Sequence, residues 1–211
     1  MRAIAMRPGR RAVTLAMLGA AGVTLAACSS GPPPVTYVLG TPASDSSATV
    51  PLAGRPVVEV KPVLVPDYLD TSDIQLRRDG NVVAPSTTGR WAERLSAGVT
   101  RAMAAELTRR LPGLVVATTV PAERPSRQVL AEIQSFEPRS NGVVVLVGRW
   151  RVLDGAARDT LAGESVSLTA PLTGQGDAEV VAAMTRLIED LAGRIADGVR
   201  RTTPGSASRR G

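Results

Sequence analysis

The feature that most limits the folds open to this chain is a pair of helix-period apolar stripes, each following a block of segments with strand periodicity. Trp91, Leu95, Val99, Met103 and Leu107 recur at steps of four, with Ala92 and Ala102 filling the buried side as the stripe drifts, and Pro112-Gly113 stops the run. The spacing predicts a helix over 90–111. Val180, Val181, Met184, Leu187, Ile188, Leu191 and Ile195 form a second stripe over 178–199.

Ahead of the first stripe, Val57 to Val63 reads as a strand closed by Pro66. Ile74–Arg78 and Val82–Ala84 flank Asp79-Gly80, a short-range hairpin signal. Between the stripes lie a short strand at Leu114–Ala117 and three candidates for an antiparallel meander, 128–136, 143–153 and 160–169. In the middle one Val144, Leu146, Trp150 and Val152 share one face and Arg149 and Arg151 the other, the period-two pattern of a half-buried strand. Val166 and Leu168 face one way in the last strand, and Ser165, Ser167 and Thr169 the other. A β block, a helix, a second β block and a second helix predict an α+β fold in which two helices cover one face of a mixed or antiparallel sheet. One core suffices for a domain over 55–200, and the tail 201–211 is expected to be disordered.

Residues 1–27 have the layout of a secretory leader: Arg2, Arg7, Arg10 and Arg11, then an apolar run from Ala12 to about Ala27. The run is short against the roughly 20 apolar residues of a membrane span. It ends in Leu25-Ala26-Ala27-Cys28, which matches the bacterial lipobox. On that reading the Cys28 thiol receives a diacylglycerol, the leader is cut before it, and the new amino terminus is acylated. Cleavage at a neighbouring alanine, with Cys28 an ordinary leader residue, is the alternative. From Ser29 to about Gly54 the chain turns to Ser, Thr, Pro, Ala and Gly, a composition that buries too little apolar surface to order itself. Residues 28–54 are therefore expected to be a lipidated flexible tether, with Tyr37-Val38-Leu39 as a short edge strand within it.

The formal charge of +6 invites a nucleic-acid reading, but its location removes it. The leader arginines with Arg200, Arg201, Arg209 and Arg210 account for eight of 25 basic residues, and the remaining 17 face 19 acidic ones. No basic groove is indicated. The chain has no histidine, which removes the commonest general base near neutral pH and the commonest transition-metal ligand. A single cysteine excludes an intramolecular disulfide and a cysteine zinc site. Lys61 is the only lysine, and no glycine-rich turn has the spacing of a phosphate-binding loop.

The remaining candidates are few. Asp67, Asp70 and Asp73 cluster after the first strand, yet their spacing fits no EF-hand loop, so solvated carboxylates and no metal are expected. Ser165 and Ser167 have no histidine to activate them. Trp91 and Trp150 lie on apolar stripes and are assigned to the core rather than to a ligand surface. Arg149 and Arg151 fit a solvated face, a charge-guarded edge, or contact with lipid phosphate or an acidic partner. No catalytic constellation emerges, and no cofactor is expected beyond the diacylglycerol and N-acyl chain on Cys28.

With the lipobox, the loop Val65-Pro66-Asp67-Tyr68-Leu69-Asp70, the hairpin ending in Asn81, and Arg90-Trp91-Ala92-Glu93, the chain resembles the PqiC (paraquat-inducible protein C) type of auxiliary lipoprotein of ABC-type transport systems. The resemblance spans most of 57–199. Relatives often show Leu-Asp-Arg-Pro-Gln where this chain has Leu69-Asp70-Thr71-Ser72-Asp73, and Glu-Pro-Leu where it has Glu93-Arg94-Leu95. The resemblance implies an outer-membrane lipoprotein facing the periplasm, consistent with Ser29 rather than aspartate after the cysteine. It implies docking to an MCE-domain protein that moves lipid between membranes, and homo-oligomeric rings. Asp67, Tyr68, Asp70, Arg149 and Arg151 are then the candidates for partner contact. A stand-alone envelope scaffold and a lipid-binding carrier are the alternatives.

Overall fold

The computed structural model describes residues 33–42 and 53–203, so the leader, Cys28 and the last eight residues lie outside the described part. Among the described residues eight strands and two helices follow one another as β1 (Val35–Tyr37), β2 (Val57–Val60), β3 (Asp73–Arg77), β4 (Val83–Trp91), α1 (Leu95–Arg110), β5 (Val115–Ala117), β6 (Arg127–Pro138), β7 (Val143–Asp154), β8 (Thr160–Pro171) and α2 (Asp177–Thr202). The predicted α+β class holds, but the strands form two sheets rather than one. A five-stranded mixed sheet has the order β5-β2-β6-β7-β8, with β2 parallel to β5 and β6 and the meander antiparallel. A three-stranded sheet has the order β1-β4-β3.

The meander is longer than its sequence signal at every strand, because the apolar alternation ends before the hydrogen-bond ladder does. Val129, Ala131, Ile133, Phe136, Val144, Leu146, Trp150, Val152 and Val166 are buried on one face. Against them lie Met184, Leu187, Leu191 and Ile195 of α2, which packs on β6, β7 and β8 and against α1. Close approach is possible because residue 198 is glycine: a Cβ there would meet the Trp150 ring at 2.7 Å. Asp177 and Glu179 begin α2 and Arg200 and Arg201 end it, matching the helix dipole. The helix therefore runs two residues into the segment expected to be a disordered tail.

Three expectations need correction. Trp91 ends β4 instead of sitting on the first helix, which starts four residues later at Leu95; its indole is buried all the same. The run 57–63 is a strand only to Val60, since Pro62 has no N–H to offer a ladder. Residues 33–42, expected to be spacer, hold β1 and the core residue Leu39, 2% exposed. β1 lies two residues earlier than expected and pairs parallel with Gly89–Trp91, and Ala92 N–H donates to the Tyr37 carbonyl.

Candidate functional site

The loop between β2 and β3 carries three of the candidate contact residues, and the structure gives each a different role. Asp70 reaches α1. No local side chain caps that helix, whose N-cap position is Arg94. Instead the Ser96 N–H donates to Asp70 Oδ1 at 2.9 Å, and the Arg94 guanidinium stands 3.6 Å from the same carboxylate. The loop thus supplies the cap that the sequence beside the helix lacks. Partial burial pushes the Asp70 carboxyl up, but the hydrogen bonds from Ser96 and the Arg94 charge outweigh it and hold it below the usual carboxylate range.

Tyr68 is tied from behind and open in front. Its hydroxyl donates to Glu137 Oε2 at 3.3 Å and accepts from Arg77 Nη2 at 3.2 Å, while the residue remains 38% exposed. Glu137 is 0% exposed and is fully partnered: Arg77 Nε at 2.7 Å, the Ser135 hydroxyl at 2.9 Å and the Phe136 N–H at 2.9 Å. The Arg77 guanidinium also lies 5.9 Å from the Tyr68 ring centroid. Burial and the neighbouring Glu137 charge push the Tyr68 hydroxyl above its usual range against the pull of Arg77, and the bond to Glu137 strengthens the proton hold of Arg77. This network fixes the loop on the outer face of the five-stranded sheet, the face away from the helices. Asp67, at the tip, is exposed, and its carbonyl accepts from Asp70 N–H. The third aspartate of the cluster, Asp73, faces Arg90 at 3.5 Å. Each of Asp70 and Asp73 thus has an arginine, and among the described residues no cluster of three metal-ligating side chains occurs.

Arg149 and Arg151 project from the same outer face, in the middle of β7. Arg149 holds Glu132 of β6 through Nε at 3.0 Å and Nη2 at 2.6 Å. Arg151 sits between Leu130 and Gly163 and joins no ion pair among the described residues. Leu64, 64% exposed, bridges to Glu132 and joins the two groups of candidates: it borders a shallow hollow with Arg149 and Arg151 and a second with Val65 and Pro66. The surface so formed runs from Tyr68 through Leu64 and Glu132 to Arg151. It has apolar patches set among charges, with no group poised for chemistry. At the β2 end the same face is closed by a buried pair, Gln128 Nε2 donating to Glu59 Oε2 at 2.8 Å, with Lys61 on Glu59 Oε1. Leu64 and Glu137 were missed from sequence: Leu64 lies in an apolar run that reads as core, and Glu137 is one of several polar residues in β6, so neither stands out locally.

The family model described as ABC-type transport auxiliary lipoprotein component matches residues 37–196, from the end of β1 well into α2. Two solved structures share the fold. A crystallised protein of unassigned function is 22% identical with a TM-score of 0.66, the match covering 79% of this chain and 98% of its own. A Xanthomonas campestris protein is 14% identical with a TM-score of 0.56, covering 80% of this chain and 95% of its own. The chain has no match among curated proteins.

Proposed function

Because the chain belongs to the ABC-type transport auxiliary lipoprotein component family, we propose that it is the outer-membrane lipoprotein of an MCE-type, PqiABC-like intermembrane lipid transport system. The observation that carries this reading is the match over 37–196, which takes in nearly the whole described body behind the Leu25–Cys28 lipobox. Two acyl chains of a diacylglycerol and one on the amino terminus give anchoring that a single chain does not. The body then acts by position and not by catalysis. It offers the surface from Asp67 and Tyr68 through Leu64 to Arg149 and Arg151 to an MCE-domain protein, completing the outer-membrane end of a lipid conduit whose energy comes from another chain. A surface of exposed apolar side chains among paired charges suits such docking, since the apolar part supplies affinity and the charges fix register.

The test is co-purification. The full chain, tagged and expressed in its own host, is solubilised gently from membranes beside Cys28→Ala. An MCE-domain protein recovered with the wild type, and weakened by Arg149→Glu with Arg151→Glu, is the expected result. A lipidated wild type that brings down no such protein overturns the conduit reading in favour of a stand-alone envelope scaffold. Bound lipid seen by native mass spectrometry, again without that partner, would favour a carrier.

A further inference from the structure

We propose that the body rests on the bilayer holding its anchor by one end, the end that carries the β3–β4 hairpin, the β6–β7 turn and the β8–α2 loop. The inference rests on the lipidation of Cys28 proposed above and needs no MCE-domain partner. β1 begins at Val35, inside the stretch 28–54 that reads as tether, so only Ser29 to Pro34 separate it from the anchor. Half of those residues are prolines, whose fixed φ resists a reversal of the chain. Fully extended, the chain from Cys28 to Thr36 spans about 28 Å at most.

Strand register identifies the end toward which the anchor leads. Arg90 pairs with Thr36 of β1 on one side and with Asp73 of β3 on the other. β1 is parallel to β4 and β3 antiparallel to it, so β3 runs from that level toward the start of β1. Arg77, at its end, stands about 13 Å further in the direction from which the anchor comes. About half of the tether's reach is used in drawing level with it. The β6–β7 turn and the β8–α2 loop meet the hairpin there. Arg139 bridges to Arg77, and the Leu172 N–H donates to the Gly142 carbonyl at 2.9 Å. Asp177, opening α2, accepts from the Ser86 and Thr88 hydroxyls of β4 at 2.9 and 2.6 Å.

The chemistry of that end fits a phospholipid surface. Its carboxylates are mostly turned inward: Glu137 and Asp177 are buried and hydrogen-bonded, and half-buried Glu179 accepts from the Thr173 hydroxyl. Exposed Asp79 stands against two exposed arginines, Arg78 and Arg139. Between them lie hydroxyls, amides and open backbone, with Val82 60% and Val35 56% exposed. Lipid phosphates repel carboxylates and accept from guanidinium and hydroxyl groups, and the two valines suit the apolar layer beneath. The far end and the flank of α2 instead hold carboxylates in the open, at Asp159, Asp190 and Asp197. With the hairpin end down, β7 rises about 37 Å from the membrane and the outer face of the sheet stays clear for a partner.

The experiment places one new cysteine at a time in the full chain, processed in and purified from its own host. Acylation consumes the Cys28 thiol, so the new thiol alone takes a fluorophore. The chain is inserted by its anchor into vesicles of phosphatidylethanolamine and phosphatidylglycerol that carry a nitroxide quencher on the headgroup. Val82→Cys and Asn141→Cys are expected to be quenched several-fold more than Ala157→Cys at the far end, Ala105→Cys on α1 or Gln134→Cys on the outer face. Arg78→Glu with Arg139→Glu should bring Val82→Cys down toward that lower level. Equal quenching at all five positions, or stronger quenching at Ala105→Cys or Gln134→Cys, overturns the proposal and leaves the anchor standing. So does a Val82→Cys signal indifferent to the arginine reversals. A Cys28 thiol still free to react, on a chain that stays off the vesicles, brings down the lipidation reading and this orientation together.

Discussion

The two faces of the five-stranded sheet are held by different means. The inner face is apolar from Val58 on β2 to Val166 on β8 and is covered by helices, α2 over β6 to β8 and α1 against β5, so its stability comes from area removed from water and from close packing. The outer face is polar: Glu59 with Gln128, Glu132 with Arg149, and Glu137 with Arg77 and Tyr68. It is held by pairing, which is worth much where water is excluded and little where it is not. A surface free to meet partners is thus built on a sheet whose folding is secured from the other side.

Four variants test that division, in falling order of effect. Trp150→Ala, on the inner face, removes a buried indole packed on Gly198 and should cost about 3–5 kcal/mol in denaturant unfolding. A cost near that of an exposed site would show that α2 does not hold the inner face as described. Glu137→Gln keeps the shape but removes the buried charge facing Arg77, and about 2 kcal/mol is expected; equal stability to wild type would place the loop's anchorage elsewhere.

Asp70→Ala leaves the α1 terminus without its cap, at about 1 kcal/mol. Because the folded-state pKa of Asp70 lies below its unfolded value, its contribution is present above about pH 4 and is lost as pH falls through the lowered folded value. The gap between wild type and Asp70→Ala should therefore narrow in acid; a gap constant with pH would remove the carboxylate from the account. Arg149→Ala, at an exposed pair, should change stability by about 0.5 kcal/mol or less. A large loss there would make the outer face structural instead of available.

The inner face was legible in the sequence because burial imposes a period. Val144, Leu146, Trp150 and Val152 alternate, and the stripe of α2 recurs at helical steps, whatever their neighbours prove to be. Where the period misled, the cause was that one core receives side chains from different elements. Trp91 stands four residues before Leu95, as on a helix, yet it points into that core from the end of a strand. β4 was mostly hidden by Pro85 and a run of serine and threonine. Pro85 is tolerated because β4 has β3 alone beside it at that point, β1 reaching only Gly89–Trp91.

The outer face was read only as a list of charges. Arg149 finds Glu132 across a register that shifts between Ile133 and Ser135, and Glu137 finds Arg77 from a different sheet. Neither pairing has a local signal, since each depends on which strands become neighbours. The cap on α1 was hidden for the same reason: Asp70 stands 26 residues from the N–H it accepts.

The parallel placement of β2 between β5 and β6 also sets an order of assembly. The meander closes through short turns, Arg139 to Val143 and Asp154 to Asp159. β2 must wait for partners far along the chain, as the bond from Ser126 to Val57 across 69 residues shows. Closing so long a loop is slow compared with making a hairpin. The C-terminal half is therefore expected to form first and to recruit the earlier segments, and a nascent chain that ends before β6 offers β2 only the three-residue β5 as a neighbour.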